Sequence, residues 1–225
     1  TTSNWSSGIL PTSSDDITIP NGCPNYPVID DGIGNIAECS NLTLGTLASI
    51  TIDPNGYLTV SGTITNNAGN SGLIINSDGS GTGSLIHNTV GGVDATVNCY
   101  LASSAYQWHM VSSPIANAPL SVFSSSNNLY YYDESTDDYW SGTVFDDGSV
   151  TGWITPAGNM NVTQGYLINL PAETVTYTGQ LNDNTSSGSI TINYTDHGVN
   201  APNGSDYDNF DGWNLIGNPY TSVIN

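Results

Sequence analysis

The chain has 225 residues, with 20 acidic side chains and neither Lys nor Arg, for a formal charge of −20 at pH 7. At ordinary basic-residue usage, drawing none by chance has a probability on the order of 10⁻¹². Nucleic acids and anionic membrane surfaces are bound through Lys and Arg, so both partner classes are excluded, as is Arg-based recognition of phosphate or carboxylate.

Apolar residues make up 37% of the chain, yet Val, Ile, Leu, Tyr and Trp are spread along it, unlike a disordered composition. No apolar run approaches the roughly 18 residues that cross a bilayer. The chain opens Thr1-Thr2-Ser3-Asn4-Trp5 without Met, which reads as a mature chain whose leader has been removed. Cys23 and Cys39 flank a turn-rich loop. An oxidising compartment favours a disulfide between them, worth roughly 3 kcal/mol in the chain-entropy model, against two separate buried thiols. Cys99 is left over.

Strong helix formers are scarce, and 25 Gly and 11 Pro punctuate the sequence. Short apolar pairs recur through the first part, at Leu42/Leu44, Ile50/Ile52, Leu58/Val60, Thr63/Ile64, Leu73/Ile75 and Leu85/Ile86. Small polar turns such as Asp53-Pro54-Asn55-Gly56 separate them. Strands this short, closely spaced, suit rungs that bury their inner face only when the next rung stacks on it. Residues 1–105 are therefore expected to form a right-handed parallel β-solenoid. The texture then changes, with four of the five Trp and most of the Tyr following residue 105. Longer alternating strands such as Leu129-Tyr130-Tyr131-Tyr132 and Tyr166-Leu167-Ile168-Asn169, together with Ile190-Thr191-Ile192-Asn193-Tyr194, predict an aromatic-rich antiparallel β-sandwich, jelly-roll-like, over 106–212.

One motif occurs twice. Trp108-His109-Met110-Val111-Ser112-Ser113-Pro114 matches Trp213-Asn214-Leu215-Ile216-Gly217-Asn218-Pro219 in residue type at each position. Residues 213–225 are read as the start of a second sandwich-like unit, continued in a longer chain or completed by another copy.

Several of these segments resemble the β-solenoid and β-sandwich modules of large Bacteroidetes surface proteins exported by type IX secretion. They are Asp15-Asp16-Ile17-Thr18-Ile19-Pro20, Leu42-Thr43-Leu44, Leu58 to Asn67, Gly81 to Asn88 and the two Trp…Pro motifs. The resemblance implies an extracellular or cell-surface protein and no single activity, since such modules accompany many different domains. The chain departs from the pattern in carrying Cys99 where the family has an Arg, and in lacking the sorting domain.

Catalytic chemistry finds little support. No Gly-x-Ser-x-Gly elbow occurs, and His87, His109 and His197 show no metal-ligand spacing. His109 falls inside a strand pattern, where a packed histidine is expected. Asp206, Asp208 and Asp211 precede Trp213 at a density suited to Ca²⁺, with a solvated acidic loop as the alternative. Tyr139, Trp140 and Trp153 form a candidate sugar platform, against simple core packing. The expected function is a non-enzymatic extracellular structural or adhesive module that self-associates into a filament or surface layer, or contacts neighbouring domains of the same protein. The rivals are a glycan-binding or glycan-degrading accessory module and an inert spacer.

Overall fold

In a computed structural model the described residues are 5–30, 37–102, 105–125, 127–136, 152–183, 185, 190–194 and 212–222. They are all-β apart from short 3₁₀ turns. The first turn of the chain consists of β1 (Ile17–Ile19), β2 (Val28–Ile29) and β3 (Ala37–Cys39). The second repeats it as β4 (Leu42–Leu44), β5 (Ile50–Ile52) and β6 (Tyr57–Val60). The third is β7 (Ile64–Asn66), β8 (Leu73–Ile75) and, after the small hairpin β9 (Ser77–Asp78) and β10 (Gly81–Thr82), β11 (Ser84–His87). A fourth pass along the second face begins at β12 (Asp94–Leu101).

Corresponding strands pair in parallel, giving three faces ordered β1-β4-β7, β2-β5-β8-β12 and β3-β6-β11. This is a β-solenoid of about three turns, as the apolar pairs predict. Alternation explains its interior: Leu42 and Leu44, Ile50 and Ile52, Leu58 and Val60, and Leu73 and Ile75 are all buried, while the residues between them face outward. On the second face Ile29, Ile52, Ile75 and Val97 align in one column.

Side chains at the corners tie the rungs together. Asn76 Nδ2 donates to Asp53 Oδ1 at 3.0 Å, and Asn98 Nδ2 donates to Asn76 Oδ1 at 2.9 Å. Asn41 Nδ2 donates to Asp16 Oδ1 at 2.7 Å, while Asn41 Oδ1 accepts from the Thr63 N–H at 2.8 Å. The Asp53-Pro54-Asn55-Gly56 turn closes with the Gly56 N–H donating to the Asp53 carbonyl at 2.8 Å, and Asn55 takes a φ of 64°. A Cβ on Gly56 would collide with the carbonyl of Ile29 in the rung before, so only glycine lets the turns stack here.

Of the expected pair of facing layers in the C-terminal half, the described residues form one. Its described strands β13 (Gln107–Val111), β14 (Leu129–Tyr132), β15 (Trp153–Ile154) and β16 (Tyr166–Leu170) form one antiparallel sheet, ordered β13-β16-β14-β15. The next strand, β17 (Glu173–Gln180), returns to the solenoid and pairs antiparallel with all of β12, from Asp94↔Gln180 to Leu101↔Glu173. The side-chain ladder extends to it, with Thr176 Oγ1 donating to Asn98 Oδ1 at 2.8 Å. Residue 105 is thus no boundary in the sheets: an element of the C-terminal half completes the second face of the N-terminal one. The core is continuous, with Val175 and Tyr177 of β17 buried and the rings of Phe123 and Tyr177 meeting edge-on at 6.5 Å.

The second Trp…Pro motif also folds back onto this body. Ile216 bridges to Gln164, and Ser112 Oγ donates to the Asn218 carbonyl at 2.6 Å. Asn182 Nδ2 donates to the Ser113 carbonyl at 2.9 Å and to the Pro219 carbonyl at 3.1 Å, so one buried amide holds the proline turns of both copies. Residues 190–194, expected as a strand, belong to no ladder in the described structure.

Removing the Asn76 amide by Asn76→Ala deletes two rung-to-rung bonds and strands the donor of Asn98. The expected cost is about 1–3 kcal/mol, which for a chain of this size lowers the melting temperature by roughly 2–12 °C. Circular dichroism melts of Asn76→Ala and the outward-facing control Thr51→Ala check this; equal melting temperatures would refute the ladder's contribution.

Candidate functional site

The end of β14 builds the most differentiated part of the surface. Alternation along Leu129-Tyr130-Tyr131-Tyr132 sends Leu129 and Tyr131 inward and Tyr130 and Tyr132 outward. The strand then stops at an Asx turn: Asp133 Oδ1 accepts from the Ser135 N–H at 3.1 Å and from Ser135 Oγ at 2.6 Å. That turn drives Glu134 inward until it is 2% exposed. The Gly212 N–H donates to Glu134 Oε1 at 3.3 Å. No Lys or Arg exists in the chain to pair with this carboxylate, so backbone hydrogen bonds of this kind must solvate it.

Opposite lies the approach to β16. Thr163 takes a φ of 66°, turning the chain so that Gln164 faces inward at 9% exposure. Gln164 Nε2 donates to the carbonyls of Gly165 at 3.1 Å and Leu215 at 3.2 Å. The third wall is a reciprocal latch: the Asn193 N–H donates to Asn214 Oδ1 at 3.1 Å, and Asn214 Nδ2 donates to the Asn193 carbonyl at 2.9 Å. The walls enclose a cleft of about 230 Å³, with Tyr131, Tyr132, Asn161 and Ile190 also on its surface. It is rich in acceptors and amides and holds no cationic side chain, so it repels anions and suits ligands that donate hydrogen bonds.

Beside the cleft, the outer face of the sheet is apolar. Trp108 and Met110 on β13 are 52% and 77% exposed. Register places Leu167 between Met110 and Tyr130. Trp108 and Tyr130 have ring centroids 6.2 Å apart, and Tyr132 meets Trp153 edge-on at 5.2 Å.

Of the residues singled out from sequence, Trp153 is half-buried against Tyr132, while Tyr139 and Trp140 lie outside the described residues. Asp206, Asp208 and Asp211 also lie outside them; Gly212, which follows, is the donor to Glu134. Among the described residues no group of three or more His, Cys, Asp or Glu is placed to hold a metal ion. The expected Cys23–Cys39 bridge is not formed: all three cysteines are free thiols. Cys23 sits where the chain turns from the first face to the second, its Sγ donating to the Pro20 carbonyl at 3.4 Å, whereas Cys39 ends β3 on the third face with its side chain in the core. Burial pushes the thiols of Cys39 and Cys99 up to about 11. His109 lies in β13 with Nε2 buried and without a hydrogen bond. His87 Nδ1 is likewise buried and unbonded, and desolvation lowers its pKa against the opposing charge of Asp183.

Sequence reasoning did not bring Glu134, Gln164, Asn161, Asn193 and Asn214 together as one site. In the sequence Asn214 stands out only within the repeated motif, at the position of His109.

Fold and site together define a β-solenoid whose last rung is completed by an antiparallel strand and whose C-terminal sheet carries a polar cleft. A family described as a domain of unknown function (DUF8693) matches residues 1–225, and the chain belongs to that family. No curated protein and no solved structure matches it.

Two solution measurements follow. The folded chain protonates His87 less readily than the unfolded chain, whose histidine has its ordinary value of 6.5. The stability from keeping His87 neutral is therefore full above pH 6.5 and is lost as the pH falls below it towards the lowered folded value. Denaturant titrations between pH 7.5 and 5 should show this slope, and His87→Phe should flatten it; an unchanged slope would assign it to other groups. With Ellman's reagent at pH 8 the native protein should show one fast thiol, Cys23, and all three in guanidinium. A second fast thiol would contradict the packing of Cys39 and Cys99.

Proposed function

We propose that this chain is a non-enzymatic structural or adhesive module of an extracellular bacterial surface protein, and that it self-associates through the outer face of its C-terminal sheet. The observation that carries this reading is the exposure of Trp108 and Met110 on a strand flanked by Leu167 and Tyr130. The free face of an antiparallel sheet is ordinarily polar, and contiguous exposed apolar surface marks an interaction site. Packed against its like in a second copy, this face would make the two layers of the aromatic-rich, jelly-roll-like sandwich that the sequence pattern suggests. The resemblance to type IX-exported modules supports the extracellular setting, and the solenoid supplies a stiff support.

Charge opposes such association, since each copy carries −20. Screening should relieve it, because the Debye length falls from about 10 Å at 0.1 M salt to about 3 Å at 1 M; Ca²⁺ should act at lower concentration by binding carboxylates. Sedimentation velocity is expected to show monomer at low salt and dimer or larger species in 1 M NaCl or millimolar CaCl₂. Met110→Asp should abolish the larger species without changing the melting temperature. Monomer under all conditions, or association unaffected by Met110→Asp, would refute this contact.

A further inference from the structure

We propose that the cleft at the end of β14 is a binding site for a neutral, hydroxyl-rich sugar ring. The inference does not rest on association through the outer face, which uses other residues.

The polar groups of the cleft fall into two sets. One set is committed to the fold: both Asn214 side-chain ends are used, Oδ1 by the Asn193 N–H and Nδ2 by the carbonyls of Asn193 and Gly212. Gln164 spends its amide donors on Gly165 and Leu215. The other set is unspent. Gln164 Oε1 accepts no hydrogen bond among the described residues, although the side chain is 9% exposed and lines the cleft. The side-chain amides of Asn161 and Asn193 line the same space and bond to no other described residue. A side-chain acceptor in a cleft lining without a protein partner is left for water or a ligand to complete.

The chemistry of this set selects the ligand. An amide presents a donor and an acceptor side by side, which matches a pair of adjacent hydroxyls. Gln164 Oε1 can accept from a further hydroxyl. Tyr131, on the inward side of β14, is among the lining residues and brings an aromatic side chain to the same region. A space of about 230 Å³ limits the buried part to one or two rings. With no Lys or Arg in the chain, a uronate or sulfated sugar meets only repulsion.

The test uses the whole chain. It is screened against immobilised gluco-, xylo-, manno- and galacto-oligosaccharides and against trigalacturonate, and the strongest neutral ligand is titrated by calorimetry. We expect saturable binding of at least one neutral sugar and none of trigalacturonate. Gln164→Leu and Asn193→Ala should each weaken binding about tenfold or more, as loss of one well-placed hydrogen bond does. Asn161→Ala, at an exposed position, provides a variant whose fold is not at stake, and near-ultraviolet circular dichroism reports the folding of all three. Met110→Asp, which breaks the proposed self-association, should leave sugar affinity unchanged. No neutral ligand at millimolar concentration overturns the proposal. So does binding that survives all three cleft substitutions but is lost in Trp108→Ala, which would put the sugar on the outer sheet face.

Discussion

Parallel rungs of three or four residues cannot hold themselves in place, and the structure depends on what fixes their register. On the second face two parallel devices do this. Inside, Ile29, Ile52, Ile75 and Val97 stack in one apolar column. At the corner, Asp53, Asn76, Asn98 and Thr176 pass hydrogen bonds from rung to rung. A slip of one residue would turn the column to solvent and leave each amide without its neighbour. The two devices therefore enforce the same register, and the last link of the ladder, Thr176, lies on β17. The C-terminal half is held to the solenoid by the same interaction that holds the solenoid to itself.

Carboxylates take an unusual part in this economy. With no Lys or Arg, Asp cannot be used in ion pairs with them, and it serves as an acceptor for local N–H and O–H groups. Asp15 closes a turn on Thr12, Asp78 one on Ser80, and Asp133 one on Ser135. Asp183, nearly buried, accepts from the N–H groups of Gly91 and Thr185 at 2.8 Å each. Hydrogen bonding to the charged form lowers the pKa of Asp15 through Thr12, of Asp16 through Asn41 and of Asp78 through Ser80. Short-range bonds of this kind neutralise little net charge, so repulsion between copies persists even where every carboxylate is locally satisfied.

The rungs were legible because their signal is local. Leu42/Leu44, Ile50/Ile52 and Leu73/Ile75 each state in three residues which face is buried, and small turn residues mark the corners. What could not be read is which distant segment closes the last rung. The Val175/Tyr177 alternation of β17 suits a sandwich strand as well as a solenoid cap, and pairing with β12 is decided by contacts some 80 residues away, such as Thr176 with Asn98. The segment 190–194 shows the converse: its alternation predicts a strand, yet its backbone at Asn193 is met by the side chain of Asn214 and not by a neighbouring strand. The cleft was invisible for the same reason. Glu134, Gln164 and Asn193 come from three separated segments, and none belongs to a motif of its own.

The closed upper end of the solenoid bears on how copies could meet. Head-to-tail stacking needs free strand edges at both ends of the rod. At the upper end the edge of β12 is taken by β17. The edge of β11 is engaged by Thr221, whose carbonyl accepts from the Leu85 N–H at 3.3 Å and whose hydroxyl donates to the Leu85 carbonyl at 3.1 Å. On the first face the N–H of Ile64 in β7 donates to Thr89 Oγ1 at 2.7 Å. A rung from a neighbouring copy would have to displace all three before gaining bonds of its own. Contact through the outer face of the C-terminal sheet displaces only water from Trp108 and Met110, and apolar surface gains most from losing it. The hydrogen bonds that finish the solenoid thus oppose stacking along the rod axis, whereas the proposed contact through the side would leave them intact.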